Sequence, residues 1–416
     1  MHLKTITLSV LFLLINLTSN AQISDLKNWL KVDYASRLPL DSLTFSKKAL
    51  TKQEAKLATA LLVADKKSRI TDTYDKQWEN RLINYDTHQM PFYFQIFGKE
   101  PADGRNLFIS MHGGGNAPAA LNDKQYENQK HLYDKTMDSL EGVYLAARAP
   151  TNTWNLWHEN HIDDFFNILI QMAVIKLNVN PNKVYLLGYS AGGDGVYQLA
   201  PRIADRWAAA SMMAGHPNET SPLGLRNLPF ALHMGALDKA YNRNGIAQQW
   251  GTQLDSLQQT DNDGYIHQVE LHEGLEHWMK LQDAVAFPWM INYKRNPIPQ
   301  KVVWKQDDRH HSSIYWIKTP KNHTKTGGVI SAEYNSSLNE INIIENYSET
   351  LELLINDDML DLDKPVTIKR QNNIIHQGKF DRNILNIYNS LQYKGDINLT
   401  FPGIIKINDD EVITNK

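Results

Sequence analysis

The sequence contains no cysteine among its 416 residues. This absence excludes disulfide bonds, iron–sulfur clusters, thiolate zinc sites, a cysteine nucleophile and a lipid anchor on an N-terminal cysteine. The chain also lacks a surplus of charge, since 43 basic residues stand against 46 acidic ones. We therefore expect neither nucleic acid nor an anionic membrane surface as a partner.

The sequence is also poor in long hydrophobic runs, and none has the ~20 residues that a membrane-spanning helix needs. One shorter apolar run, Thr5–Leu17, follows Lys4 and precedes small residues at Ser19 and Ala21. This pattern predicts a signal peptide over residues 1–21 and export to the periplasm or beyond. A retained N-terminal anchor would need a longer run, so we expect no membrane association after cleavage. The sequence does not indicate an oligomeric state.

The rest of the chain divides into three regions by pattern. Residues 22–88 are polar with apolar residues at helical spacing, which predicts a helical leader or cap. Residues 89–298 alternate short apolar runs with helical stretches, which is typical of an α/β domain with a mostly parallel sheet. Residues 299–416 read as short strands separated by Asn, Asp and Gly, which predicts a small β-rich domain.

Several strands predicted for the middle region are continuous apolar runs, as expected of strands buried on both faces. The first two, Phe92–Phe97 and Asn106–Met111, are joined by a short loop with glycine at each end. We predict that this pair forms a hairpin at the edge of the sheet. The remaining predicted strands are Val143–Ala147, Val184–Gly188, Ala208–Ala214, Phe230–Met234 and Tyr265–Leu271.

The sharpest motif is Gly188-Tyr189-Ser190-Ala191-Gly192, which lies between an apolar strand and a helical stretch. In this context G-x-S-x-G predicts a nucleophilic serine on a tight strand-to-helix turn. A second motif, His112-Gly-Gly-Gly115, follows another predicted strand. Consecutive glycines there let backbone N–H groups approach a substrate. We predict an oxyanion hole formed by Gly114, Gly115 and Ala191.

A carboxylate and a histidine are expected after the serine, in that order. Asp238 follows the predicted strand Phe230–Met234, and His277 follows the last predicted strand. We therefore predict Asp238 and His277 as partners of Ser190. The alternatives are His272 as the base, which lies near a strand end, and the carboxylates Asp261, Asp263, Glu273 and Glu276.

Three tryptophans near these loops are candidates for substrate contact, namely Trp154, Trp157 and Trp278. Their rings would stack on a sugar or an aromatic acyl group, although packing of the cap onto the main domain explains them slightly better. His158 and His161, close to Asp163 and Asp164, are a weak metal signal. We expect no metal and no cofactor.

Taken together, His112–Gly115, Gly188–Gly193, Asp238 and His277 resemble the α/β-hydrolase superfamily. The segment Val179–Gly193 is similar to the corresponding segment of polyhydroxybutyrate-depolymerase-like and feruloyl-esterase-like secreted esterases, and to the catalytic segment of prolyl-oligopeptidase-type proteins. The resemblance implies a mostly parallel sheet flanked by helices, with the predicted leader and β-rich tail outside it.

The resemblance also implies Ser190 as nucleophile, with Asp238 and His277 as its partners. We expect an exported serine hydrolase that cleaves carboxylic esters, with carbohydrate-linked acetyl or feruloyl esters as substrates. The alternatives are a polyester depolymerase, a prolyl-oligopeptidase-like peptidase, although the leader is too short for a β-propeller, and a non-catalytic polymer-binding protein with a hydrolase core.

Overall fold

The structure is a computed structural model that describes residues 21–409 and 411–413. The predicted signal peptide, apart from Ala21, lies outside the described residues. Within the described part of the chain, no helix is both long and apolar enough to cross a bilayer.

The core is an eight-stranded sheet in the order β1-β2-β4-β3-β5-β6-β7-β8. Strand β2 runs antiparallel to both its neighbours, and all other pairs are parallel. This order, with helices packed against the sheet, is the α/β-hydrolase fold that the sequence predicts. The strands are β1 (Leu82–Tyr85), β2 (His88–Phe97), β3 (Arg105–Met111), β4 (Gly142–Ala147), β5 (Val179–Tyr189), β6 (Ala209–Met213), β7 (Phe230–Gly235) and β8 (His267–His272).

The predicted hairpin of Phe92–Phe97 with Asn106–Met111 is wrong. Strand β2 pairs with β4, while β3 lies between β4 and β5. The burial of the two strands explains the difference. Residues 107–111 of β3 are all buried, as in the middle of a sheet, whereas β2 is only partly buried along its length. The hairpin at the sheet edge is instead β1–β2, which turns at Asp86 and Thr87.

Helix α2 is the longest helix and begins with a capping box, in which Thr51 and Glu54 each bond the other's backbone N–H. Its residues Ala58 and Leu62 share a hydrophobic cluster with Ile387 of the C-terminal helix α9. The helices are α1 (residues 21–31), α2 (Lys52–Glu79), α3 (Ala119–His131), α4 (Asp134–Met137), α5 (Asn160–Leu177), α6 (Ala191–Arg202), α7 (Arg243–Thr260), α8 (Ala286–Met290) and α9 (Ile384–Lys394).

The C-terminal region forms two five-stranded sheets, so the predicted β-rich character of this region is confirmed. The sheet orders are β10-β11-β14-β17-β18 and β16-β15-β13-β12-β9. The strands are β9 (Lys301–Lys305), β10 (Ser313–Ile314), β11 (Ile317–Lys318), β12 (Val329–Asn335), β13 (Glu340–Asn346), β14 (Thr350–Ile355), β15 (Val366–Arg370), β16 (Asn373–Gly378), β17 (Gly403–Asn408) and β18 (Glu411–Ile413).

Buried ion pairs join this region to the central sheet. Lys394, at the end of α9, places Nζ 2.8 Å from Asp205 Oδ2, just before β6. Burial alone would raise the pKa of Asp205, but attraction to Lys394 and Arg206 outweighs it and lowers this pKa to about 2. The C-terminal helix is therefore anchored to the core of the eight-stranded sheet by a charge pair shielded from water.

Candidate active site

Ser190 lies on the turn between β5 and α6, with φ 56° and ψ −119°. This conformation is strained for a residue with a side chain, and the backbone N–H of Ser190 is held by a 2.9 Å hydrogen bond to Met213 O. The flanking glycines are required by close packing. A Cβ atom on Gly192 would lie 2.1 Å from Met111 O, and one on Gly188 would lie 2.2 Å from Gly192 O. The G-x-S-x-G pattern is thus the spacing that this turn allows.

The side chain of His277 lies between Ser190 and Asp238. Its Nε2 is 3.0 Å from Ser190 Oγ, and its Nδ1 is 2.6 Å from Asp238 Oδ2. The carboxylate of Asp238 is buried, whereas the imidazole is 41 % exposed. When Nδ1 carries the proton and donates a hydrogen bond to Asp238, the lone pair of Nε2 can accept the serine hydroxyl proton. The three predicted residues therefore form a continuous hydrogen-bonded chain.

The sheet register brings the acid and the histidine together. Strands β7 and β8 are parallel neighbours with Gly235 paired to His272, so the loops that follow them leave the same edge of the sheet. The Leu237 N–H donates to Leu275 O at 2.8 Å and ties the two loops to each other. Asp238 and His277, 39 residues apart, meet at this edge.

Tyr189 positions the histidine loop, a role that sequence reasoning missed. Its hydroxyl donates to His277 O at 2.6 Å and accepts from the Met279 N–H at 2.9 Å. A tyrosine at the variable position of the motif was the only sequence signal for this contact. The residue before Ser190 thus fixes the backbone from the His277 carbonyl to the Met279 N–H.

Arg243 is a second residue that sequence reasoning missed. Its NH1 lies 3.5 Å from the outer oxygen, Oδ1, of Asp238. The Asp238 backbone oxygen accepts the Asn244 N–H at 3.1 Å, which joins the acid to the start of α7. Nothing in the sequence distinguishes this arginine from others that begin helices.

None of the alternative candidates belongs to the hydrogen-bonded chain of Ser190, His277 and Asp238. His272 Nε2 lies 3.2 Å from Nδ1 of the buried His233, within hydrogen-bonding distance of that ring and not of the serine. The carboxylate of Asp261 accepts hydrogen bonds from Arg226 and Lys301. The structure also leaves Asp263, Glu273 and Glu276 exposed and outside the chain of hydrogen bonds.

The predicted oxyanion residues differ in whether their backbone N–H groups already donate a hydrogen bond. The Gly115 N–H donates to Asn122 Oδ1 at 2.8 Å and is therefore already engaged. Within the described chain, neither the Gly114 nor the Ala191 N–H donates a hydrogen bond. Gly114 and Gly115 have φ 115° and 81°, values that favour glycine. The asparagine thus holds the glycine loop and leaves two donors beside Ser190.

His112 and Trp157 hold the other end of this loop. Burial lowers the pKa of His112 to about 4, so its ring is neutral, and its Nε2 accepts the Ala149 N–H at 3.2 Å. The indole N–H of Trp157 donates to His112 O at 2.9 Å. Trp157 is fully buried, so the prediction that it contacts substrate is wrong. Its indole binds the loop backbone instead.

Two cavities meet at Ser190. The larger, of about 720 Å³, is lined by His277, Trp278 and polar residues of α3 such as Gln125. The smaller, of about 300 Å³, is lined by Trp154, Ala191 and several polar side chains. Trp154 and Trp278 are half exposed, so the structure places both tryptophans at the cavity walls.

Residues with metal-ligating chemistry form two clusters in the described chain, and neither includes a residue of the Ser190 site. One consists of His88, Glu159 and His161, and the other of His233, Glu270 and His272. The predicted metal signal at His158 and His161 involves Asp163, but that carboxylate is bound by Arg202 and His311. The structure therefore does not bring Asp163 to these histidines as a free ligand.

No family model matches the sequence, and no curated protein sequence matches it. Solved structures similar in fold include a thermostable esterase, at 15% identity and a TM-score of 0.41, which covers 52% of this chain. The chain spans 64% of that esterase. A ferulic acid esterase shares 13% identity over 51% of this chain and 96% of its own, with a TM-score of 0.36. The poly(3-hydroxybutyrate) depolymerase LpqC from Bordetella parapertussis shares 12% identity over 49% and 84%, with a TM-score of 0.38.

Proposed function

We propose that the protein is an exported serine hydrolase that cleaves carboxylic esters, with carbohydrate-linked acetyl or feruloyl esters as substrates. The observation that carries this proposal is the hydrogen-bonded chain from Ser190 Oγ through His277 to Asp238, with distances of 3.0 and 2.6 Å. A serine on a strand-to-helix turn, a histidine base and a buried carboxylate together support acyl transfer.

In the proposed reaction, Ser190 Oγ attacks the ester carbonyl carbon while His277 Nε2 takes the hydroxyl proton. The negative charge on the carbonyl oxygen is stabilised by the Gly114 and Ala191 N–H groups, and loss of one such donor typically costs about 10²–10³ in kcat. His277 then returns the proton to the leaving alcohol. Water repeats the cycle on the acyl-enzyme and releases the acid.

Export is supported by the apolar segment Thr5–Leu17 and the small residues that follow it. The test is the N-terminus of the protein secreted or exported by an expressing bacterium, measured by mass spectrometry. Cleavage after Ala21 gives a mature chain that begins at Gln22. A chain that retains the apolar segment would contradict export by a cleaved signal.

The nucleophile is tested with a fluorophosphonate probe, which reacts with activated serines. We expect the wild-type protein to be labelled and Ser190→Ala to remain unlabelled. Ser256→Ala, at an exposed position on α7, is the matched control and should label like the wild type. Labelling of the Ser190→Ala protein would refute the assignment.

The ester specificity is tested with acetylated and feruloylated sugars beside short p-nitrophenyl esters. Wild-type turnover of the sugar esters and its loss in Ser190→Ala are the expected results. Faster cleavage of aminoacyl-anilides than of p-nitrophenyl esters would favour the peptidase alternative instead. Absence of all turnover in a well-folded protein would favour the polymer-binding alternative.

A further inference from the structure

The two cavities at Ser190 are distinguished by the position of the base. His277 must deliver a proton to the oxygen of the leaving alcohol, so the alcohol has to lie on the histidine side of the serine. His277 lines the larger cavity and not the smaller one, whereas Ala191 lines the smaller one. The leaving alcohol therefore occupies the larger cavity, and the acyl group occupies the smaller one.

The acyl cavity contains an arginine whose hydrogen-bonding capacity is only partly used. Arg243 lines this cavity, and its side chain is 13 % exposed. Its Nε is buried with no hydrogen-bond partner, and its nearest carboxylate contact among the described residues is Asp238 Oδ1 at 3.5 Å. Buried donors without acceptors are costly, by about 1–3 kcal/mol each. An acyl group with oxygen acceptors would give hydrogen-bond partners to the part of this guanidinium that faces the cavity.

Acceptors and further donors line the same cavity. Asp194 accepts the His216 N–H at 2.6 Å, and burial raises the pKa of Asp194 to about 6. His216 Nδ1 lies 3.0 Å from the Asn218 N–H, which donates to it, and 3.2 Å from Asn218 Oδ1; in the neutral ring that accepts at Nδ1, Nε2 carries the proton and is a donor. The side chain of Asn218 adds an amide that both donates and accepts. This alternation of donors and acceptors matches hydroxyl groups, which do both.

The apolar part of the acyl cavity is aromatic. Trp154 and Tyr241 both line it and are 58% and 78% exposed. The guanidinium of Arg243 lies 4.9 Å from the centre of the Tyr241 ring, which places the polar and aromatic parts of the wall side by side. A ring with an apolar face and hydroxyls at its edge can stack on such an aromatic side chain while hydrogen-bonding at its rim.

From this lining, we propose that the protein also hydrolyses esters of sugar acids, with a pyranose uronoyl group as the acyl part in the cavity of Arg243, Asp194, His216 and Asn218. The inference rests on the proposed serine-hydrolase function. Ser190 Oγ forms a bond to the uronate carbonyl carbon, the bond to the alcohol oxygen breaks, and His277 gives that oxygen the serine proton. Water then releases the free sugar acid.

The test compares two benzyl esters that share the alcohol and differ only in the acyl ring. Benzyl D-glucuronate carries ring hydroxyls, and benzyl cyclohexanecarboxylate has a ring of similar size without them. A site that hydrogen-bonds its substrate strongly rejects an analogue that lacks the polar groups. We expect kcat/KM for the glucuronate to exceed that for the cyclohexane ester at least 100-fold. Equal values, or a preference for the cyclohexane ester, would overturn the proposal.

The assignment to this cavity is tested by the ratio of the two kcat/KM values in variants. Arg243→Gln and Asp194→Asn should each lower the ratio at least tenfold, whatever they do to either rate alone. Asn128→Ala, an amide on the wall of the alcohol cavity, is the matched control and should leave the ratio unchanged. An unchanged ratio in Arg243→Gln would refute the assignment.

Fluorophosphonate labelling separates failure of this inference from failure of the proposed function. A protein that is labelled at Ser190 and cleaves p-nitrophenyl acetate, but discriminates against the glucuronate, retains the proposed function and lacks the sugar-acid activity. A folded protein that neither labels nor cleaves any ester fails the proposed function itself. Each result is read from the same preparation.

Discussion

Replacement of Asp238 by asparagine should lower kcat for an ester substrate by about 10⁴ while leaving the fold intact. The carboxylate accepts a hydrogen bond from the Nδ1–H of His277 at 2.6 Å and is almost fully buried. An asparagine of the same shape can instead present its NH₂ group to Nδ1. That contact favours the tautomer with the proton on Nε2, which cannot accept the proton of Ser190.

The magnitude follows from two losses that act on the same step. The wrong tautomer removes the base, and the missing negative charge no longer stabilises the imidazolium that forms as the serine attacks. The corresponding change in a serine protease lowers kcat by about 10⁴. At 1.36 kcal/mol for each tenfold change, this is about 5.4 kcal/mol in the activation free energy. Arg243 lies 3.5 Å from Asp238 Oδ1 and contributes no negative charge, so it cannot replace the carboxylate.

The assay is steady-state hydrolysis of p-nitrophenyl acetate, with urea unfolding as the check on folding. Glu276→Gln is the matched control, because it makes the same chemical change at an exposed carboxylate beside His277 and should retain wild-type kcat. A kcat within tenfold of the wild type in a folded Asp238→Asn protein would refute the role given to this residue and point to another acid.

Three further predictions concern stability and are read from urea unfolding. Gly192→Ala should destabilise the fold by about 3 kcal/mol or more, because the added Cβ would lie 2.1 Å from the carbonyl oxygen of Met111. Gly274→Ala is the control: the space around it is open but its φ is +70°, so it should cost only about 1 kcal/mol. The pKa of His112 is about 4 in the folded state, against 6.5 for an ordinary histidine, so the unfolded chain takes up the proton first as the pH falls. The free energy of unfolding should therefore fall by about 3 kcal/mol between pH 6.5 and pH 4. His112→Gln should reduce that loss accordingly, and an unchanged pH profile would contradict it. Lys394→Met should cost about 3–5 kcal/mol, since it leaves the Asp205 carboxylate buried without its lysine, and a cost below 1 kcal/mol would show that this pair does not anchor the C-terminal helix.

The geometry around Ser190 was largely predictable because it depends on local patterns and on one topological rule. The glycines at 188 and 192 mark a turn that only small residues permit, and the strand before it ends in the apolar run Val184–Leu187. Asp238 and His277 each follow a strand of a parallel sheet, and the ends of such strands share an edge. The order of these residues along the chain and their positions at strand ends were therefore enough to predict that their side chains lie close together.

The parts that the sequence did not predict depend on pairings between distant segments. The pairing partner of β2 depends on how fully each strand is buried, and a run of apolar residues in the sequence does not show this. Whether a tryptophan faces a cavity or the core is equally hidden, as the buried Trp157 and the exposed Trp154 illustrate. The bond from the Gly115 N–H to Asn122 is of the same kind, because nothing local marks that asparagine as the acceptor.

The segment around Ser190 combines roles that are often assigned to separate parts of an enzyme. In the proposed reaction, Ser190 carries the attacking oxygen and the Ala191 N–H is one of the two donors beside it. The Tyr189 hydroxyl holds the backbone of His277 and Met279. Consecutive residues on one strained turn cannot shift independently. The distance from His277 Nε2 to Ser190 Oγ and the position of the Ala191 N–H are therefore set by the same backbone conformation. A change in this turn would alter attack, proton transfer and anion stabilisation together, so the flanking glycines matter to the chemistry as much as to the packing.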